Sequence, residues 1–445
     1  MVARTTPQDK IRELQRTLYR SAKADPHRRF HALWDKVCRR DILERAWGQV
    51  RANHGAAGID HTTIADVERY GVSRLLDELG ADLRDGSYRP LPARRVFIPK
   101  PGRDERRPLS IPTVRDRIVQ TALKTVIEPI FEADMLECSF GFRPRRSTRD
   151  ALQVLIDEAW GGRRWVVETD IANCFEAIPH EQLMQAVEER IVDRTVLKLL
   201  RALLRAGVMQ DGTVRRGVAG TPQGGVVSPV LCNVYLHRLD RAWRARGHGA
   251  LVRYADDLVV MCHTEREARA ALAALRAILT DLGLELKEAK TRIVHLREGG
   301  EGFDFLGFHH RWVRARHPRW RHLTFLARWP SRTAMQHARE RLRHLTGRER
   351  LPLPVEHIVQ DVNRFLRGWA GYYRYGNSAR EFDAITAHAI RRLSIYIAKR
   401  HGRKRGYGRH VLLHDRPNRH GLVRLRGTVR PPRPGRTPRP ADCRR

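Results

Sequence analysis

A chain of 445 residues with 41% hydrophobic content can build two or three domains with substantial cores, which excludes a disordered polypeptide. Lys plus Arg number 85 against 50 Asp plus Glu, a formal net charge of +35, so the expected partner is a polyanion. Cysteines at 38, 138, 174, 232, 262 and 443 form no C-x-x-C pair and no Cys/His cluster at zinc spacing, which argues against structural zinc and a disulfide framework.

Only ten of the cations are Lys, and Arg is the side chain that pairs bidentately with phosphate and stacks on bases. The amino terminus is polar and no apolar run reaches about 18 residues, so neither export nor membrane insertion is expected. The composition therefore describes a reduced, cytoplasmic, nucleic-acid-binding protein.

Residues 1–50 read as a helical extension, with Phe30, Leu33, Trp34 and Val37 on one face and Ile42, Leu43 and Trp47 continuing it. The stretch "NHGAAGID", Asn53 to Asp60, interrupts that pattern with glycines. From Arg94 to about His310 short apolar strands alternate with helical stretches, which predicts a mixed α/β domain. Two of its strands matter most: "RRWVVETD" ends in Asp170, and "LVRYADDLVVMC" carries Asp256 and Asp257 at a turn.

After Trp329-Pro330 the pattern is helical. Val355, Ile358, Val362, Phe365, Trp369 and Tyr372 are spaced 3-4-3-4-3, and Phe382, Ile385, Ala389, Leu393 and Tyr396 form a second stripe, with Arg364, Arg367, Arg391 and Arg392 off the stripes. From His401 onward Gly, Pro and Arg dominate, which predicts a short folded piece around Val411 to Val429 and a disordered basic tail.

Adjacent carboxylates at Asp256 and Asp257 are unexpected in so basic a chain. On four letters alone "YADD" is a hairpin tip. A carboxylate from a neighbouring strand would turn the pair into a divalent-metal site suited to phosphoryl transfer onto a 3′-hydroxyl. Asp170 qualifies, although an Asp before a helix also serves as an N-cap.

The ordered series "NHGAAGID", "FIPKPGRDERRPLSIPTVRDRIVQTAL", "SFGFRPRRSTRDAL", "ETDIANCFEAIPHEQL", "GTPQGGVVSPVLCNVYLHRLD", "RYADDLVV", "LGLELKEAKTRIV" and "FDFLGF", followed by "LRGWAGYYRYG", resembles the reverse transcriptases of bacterial group II introns, also called intron maturases. The resemblance runs from about Phe30 to about Val429. It implies a right-hand polymerase: fingers and palm over residues 51–315 with an antiparallel palm sheet, an α-helical thumb or maturase domain over 320–400, and a basic nucleic-acid-binding segment over 401–445.

Carried over position by position, the resemblance makes Asp170 and Asp256 the main ligands of two Mg²⁺ ions, with Asp257 supporting them. Phe175 matches the aromatic gate that excludes a 2′-hydroxyl, or else packs beneath the palm. Gln223 and Gly224 would contact the incoming nucleotide and the primer end, since glycine lets backbone approach closely. Lys100 and Arg107 would clamp the triphosphate; the segment is one residue longer than the family pattern, so Arg106 stands as the alternative. Lys290 matches the proton donor to pyrophosphate, or is a solvated charge at a helix end.

In the thumb, Arg367, Tyr373 and Tyr375 are the expected RNA contacts, with Trp369 and Tyr372 on the apolar stripe. The implied partners are group II intron RNA, an RNA template with a DNA primer, deoxynucleotides and target DNA, with the protein nucleoid-associated when on DNA. No paired Cys and His residues follow Gly402, so an endonuclease module is not expected. Two other readings stand beside this one: a splicing maturase whose polymerase is dispensable, and a freestanding reverse transcriptase used in repair or defence.

Overall fold

The computed structural model describes residues 6–99, 106–210, 213–215, 217–315, 317–413 and 421–432. The chain opens with α1 (Pro7–Ala24), whose Thr6 hydroxyl accepts from the Asp9 backbone N–H while the Asp9 carboxylate accepts from Thr6 N–H, a reciprocal cap. Then come α2 (Trp34–Val37), α3 (Arg40–Ala52), α4 (Ile64–Tyr70) and α5 (Val72–Asp85). Ile42, Leu43 and Trp47 of α3 are buried, as their spacing predicts.

Strands β1 (Ala93–Pro99) and β2 (Arg106–Ile111) pair antiparallel, and α6 (Val114–Glu132) follows, buried on nearly every side. Its buried polar side chains, among them Asp116, Gln120 and Thr121, are hydrogen-bonded there, and it packs against α1, α3 and α11 (Ser228–Arg246). Between them lie α7 (Thr148–Trp160), β3 (Trp165–Asp170), α8 (Cys174–Ala177), α9 (His180–Glu188), α10 (Arg194–Arg205), β4 (Val208–Gln210) and β5 (Thr213–Arg215). One sheet has the order β2-β1-β4-β5, with β1 and β4 parallel.

The central sheet adds β6 (Ala250–Tyr254), β7 (Asp257–Cys262) and, after α12 (Glu265–Asp281), β8 (Arg292–His295). Its order is β6-β7-β3-β8 and every neighbouring pair is antiparallel. Alternate side chains go to opposite faces. Val167, Leu258 and Val260 join the core with α11 and α12, while Val166, Val259 and Met261 join a second core with α7, β9 (Phe303–Phe305) and β10 (Phe308–Arg314). Burial on both faces explains why these strands read as continuous apolar runs.

Strand β11 (Thr324–Pro330) pairs with β10 in full register from Phe308↔Pro330 to Arg314↔Thr324. It falls inside residues 320–400, the span expected to be a helical thumb, and ends at Pro330, where the helical pattern begins; Phe325, Leu326 and Trp329 suit a strand, and their partner is already in place.

A helical unit follows, made of α13 (Arg332–Leu345), α14 (Val355–Tyr373), α15 (Ala379–Arg400) and α16 (Arg405–Leu413). Its core gathers Leu342, Ile358, Val362, Leu366, Phe382, Ile385 and Leu393, and Leu425 is buried against it. The apolar stripe of α14 continues through Leu366, Trp369 and Ala370 to Tyr373, one position past Tyr372, which is exposed. A 3.6-residue period drifts across a strict 3-4 reading over five turns.

Candidate active site

Two strands from separate stretches of chain bring the aspartates together. Asp170, the last residue of β3, lies opposite Asp257, the first of β7. Tyr254 pairs with the same Asp257, so Ala255 and Asp256 form a two-residue hairpin loop. Ala255 has φ 57°, at the position glycine usually takes in such loops. The neighbouring backbone is tied in as well: Ile171 N–H donates to the Asp256 carbonyl at 3.1 Å, and Lys287 N–H donates to the Asp170 carbonyl at 2.7 Å.

Asp170 is only 8% exposed. Its Oδ2 accepts from the Lys290 ammonium, while its buried Oδ1 has no hydrogen-bond partner. Burial, followed by the Asp170 charge, pushes the Asp257 carboxyl up to about 8. The same two causes raise Asp256, with Lys290 and Arg107 pulling the other way.

A divalent cation fits this donor set, because it would relieve the mutual repulsion and satisfy the unpartnered Oδ1. Among the described residues no group of three or more His, Cys, Asp or Glu side chains is placed to hold a metal ion by itself.

Phe175 sits on α8, one turn beyond Asp170, with its ring half-buried and edge-on to Phe142 at 6.2 Å. The loop from Gly220 to Val227 is stitched to this turn. Thr221 N–H donates to the Phe175 carbonyl at 2.6 Å, and Val226 N–H donates to Gln120 Oε1 at 2.8 Å. Ser110 N–H of β2 donates to the Gln223 carbonyl at 2.6 Å. Gly224 is exposed with φ 110°, and a Cβ there would lie 2.4 Å from the Ser110 carbonyl oxygen, so only glycine allows the approach. A cavity of about 190 Å³ lined by Arg95, Glu176, Thr221 and Gln223 opens beside it.

Arg106 and Arg107 are both exposed and, as neighbours on β2, point to opposite faces. Arg107 is the one whose charge reaches Asp256. Lys100 lies outside the described residues. Lys290 ends a short turn, Glu288–Lys290, and is drawn onto Asp170 rather than left in solvent alone.

In the helical unit Arg367 is exposed, and Tyr375 lies under the Arg149 guanidinium at 4.6 Å. Tyr373 instead packs into the core against Phe308 at 4.9 Å and Trp369 at 5.0 Å. Tyr372 faces outward and its hydroxyl donates to the Leu306 carbonyl at 2.9 Å. Phe142 was not singled out from the sequence. It follows Gly141 in the "SFGF" stretch, holds φ 58°, and is 48% exposed beside Phe175.

Residues 98–310 match the family described as reverse transcriptase (RNA-dependent DNA polymerase), and residues 335–413 match the group II intron, maturase-specific domain. Protein YkfC of Escherichia coli strain K12 is 35% identical over 347 residues, covering 69% of this chain and 89% of that protein. The group II intron-encoded protein LtrA of Lactococcus lactis subsp. cremoris is 36% identical over 214 residues, covering 48% of this chain and 35% of LtrA. Nuclear intron maturase 4, mitochondrial, of Arabidopsis thaliana is 27% identical over 206 residues, which is 46% of this chain and 24% of that protein. With both domain types in one chain and a relative matched along most of its length, this protein belongs to the group II intron-encoded reverse transcriptase and maturase family.

Proposed function

We propose that Asp170, Asp256 and Asp257 are the catalytic carboxylates of an RNA-directed DNA polymerase that also binds its intron RNA and assists splicing and mobility. The observation that carries this reading is the β3–β7 register, which sets Asp170 across from Asp257 with a buried carboxylate oxygen left unpartnered. The architecture is a right hand. The central sheet serves as the palm within residues 51–315, the β1-β2 hairpin belongs to the fingers, and the helices within 320–400 form the thumb. Residues 1–50 are an amino-terminal extension, and 401–445 a basic segment that adds contact to nucleic acid.

Asp170 and Asp256, with Asp257 in support, would hold two magnesium ions, whose charge would make the primer 3′-hydroxyl more acidic and would steady the departing pyrophosphate. The 3′-oxygen bonds to the α-phosphorus of the incoming deoxynucleotide as the bond to the β-phosphate oxygen breaks. Lys290, held beside the reacting centre by Asp170, gives the leaving pyrophosphate its proton. Arg107 and Lys100 offset the triphosphate charge. Phe175 lies under the sugar and rejects a 2′-hydroxyl, while Gln223 and Gly224 form the floor on which the nucleotide and the primer end rest. On the thumb, Arg367 pairs with phosphate, and Tyr375 and the outward-facing Tyr372 offer stacking faces.

The substrates are RNA template, DNA primer and deoxynucleotides, with target DNA as the site of insertion. No helix among the described residues is long and apolar enough to cross a membrane, which is compatible with a cytoplasmic protein working at the nucleoid. Primer extension on an RNA template with Mg²⁺, comparing the wild type with Asp170→Ala, tests the assignment. Synthesis that the substitution removes supports it. A well-folded wild type that binds intron RNA yet makes no DNA would leave a splicing maturase without working polymerase.

A further inference from the structure

One charge on the central sheet is not used by the chemistry above. Arg253, on β6 just before the catalytic turn, is fully buried, as is Asp240 of α11, both side chains having 0% exposure. Its guanidinium is bidentate to that carboxylate, Nε to Oδ1 at 2.7 Å and Nη2 to Oδ2 at 2.6 Å. The remaining edge is also spent. Nη1 donates to Asn233 Oδ1 at 3.1 Å and to the carbonyl of Ala255 at 3.2 Å, and Ala255 is the positive-φ residue of the turn that carries Asp256.

The other side of the turn is walled by the segment that precedes α7. Arg253 N–H donates to the Cys138 carbonyl at 2.7 Å, and Phe140 N–H donates to the Arg253 carbonyl at 2.9 Å. This brings Gly141 so near that a Cβ would stand 2.4 Å from the Ala255 nitrogen. Asn233 joins the two halves: its Nδ2 donates to the Gly141 carbonyl at 2.8 Å while its Oδ1 accepts from Arg253. The turn is therefore gripped by its carbonyl from one side and by close backbone contact from the other.

We propose that the buried Arg253–Asp240 pair, bridged by Asn233, is a positioning device that aims the Asp256–Asp257 carboxylates by holding the carbonyl of Ala255. It rests on the reading of those aspartates as catalytic. Stability alone is a poor reason for the pair, because desolvating two charges offsets their attraction, and apolar replacements of similar volume are often neutral or stabilising. What an apolar pair cannot do is donate a hydrogen bond to the turn. Lys is also unequal to the task, since a single ammonium lacks the planar fork that reaches the carboxylate and Ala255 together.

The test uses the full chain with two variants, Arg253→Lys and the double replacement Arg253→Met with Asp240→Leu. Thermal unfolding, primer–template affinity, kcat, and the magnesium concentration giving half-maximal rate are measured for each. The proposal expects the double variant to stay folded, unfolding within several degrees of the wild type because Asn233 Oδ1 and the Ala255 carbonyl lose a donor, and to bind primer–template within about twofold. Its kcat should fall about tenfold or more and its magnesium requirement should rise, with Arg253→Lys showing the same split. Wild-type kcat and magnesium dependence in either folded variant would overturn the positioning role. So would loss of folding and primer–template binding in both variants, which would assign the pair to the fold alone. A wild type without polymerase activity would instead overturn the underlying assignment of the aspartates.

Discussion

Asp170 and Asp257 face each other across the β3–β7 ladder, and each is the terminal residue of its strand, so two carboxylates meet where the sheet ends and the turn begins. Like charges so placed repel, and burial compounds the cost. That arrangement makes sense when a cation is part of the working state.

Asp256→Asn removes one charge with little change in shape. DNA synthesis is expected to fall by about a thousand-fold, on the order of 4 kcal/mol of transition-state stabilisation. Intron RNA affinity should stay within a few-fold. Filter binding beside primer extension checks both, and simultaneous loss of the two would mean that the carboxylate serves folding.

The Asp257 carboxyl gives a pH prediction. Folding raises its pKa from 3.8 to about 8, so between those values the folded protein binds a proton that the unfolded chain has released. The Asp257 contribution to metal-free stability is therefore fully present at low pH and is lost as pH rises through the raised value. Melting in chelator at pH 5 and pH 8 should show the wild type losing a few degrees more than Asp257→Asn. Added magnesium should recover the difference at pH 8. Equal slopes for the two proteins would contradict the raised carboxyl.

Phe175→Ala opens the space beneath the sugar. Discrimination against ribonucleotides should drop about tenfold to a hundredfold, with deoxynucleotide incorporation retained in part. Unchanged discrimination, measured by competing the two nucleotides in primer extension, would return Phe175 to core packing.

Gly224→Ala places a methyl group against the Ser110 carbonyl at a backbone angle that suits glycine. The loop must shift, so the KM for deoxynucleotides should rise about tenfold while the melting temperature moves by only a few degrees. An unaltered KM would detach the loop from substrate binding.

RNA affinity should fall steeply between about 50 and 200 mM salt, because cations that pair with phosphate release counterions. Arg367→Ala should lower the slope by about one unit. A flat response would contradict the electrostatic reading of the +35 charge.

The strands and the turn that carry the three aspartates were legible in the residues. "WVVETD" and "LVRYADDLVVMC" became β3 and the β6–β7 hairpin because β-branched runs broken by a short polar turn have one cheap conformation. The choice between Arg106 and Arg107 was not legible, since strand alternation says only that the two point apart. Tyr373 lies off a strict 3-4 count, and its partial burial follows from where Phe308 and Trp369 stand.

Length, charge and the ordered blocks by themselves determined a polyanion-binding α/β chain with carboxylates at Asp170, Asp256 and Asp257, because composition and local periodicity are properties of contiguous sequence. Only the tertiary structure decided that Arg253 reaches Asp240, Asn233 and the Ala255 carbonyl at once, and that Lys290 folds onto Asp170. A buried charge is tolerable only beside partners delivered by other elements, and which partners arrive is fixed by packing rather than by the letters around it.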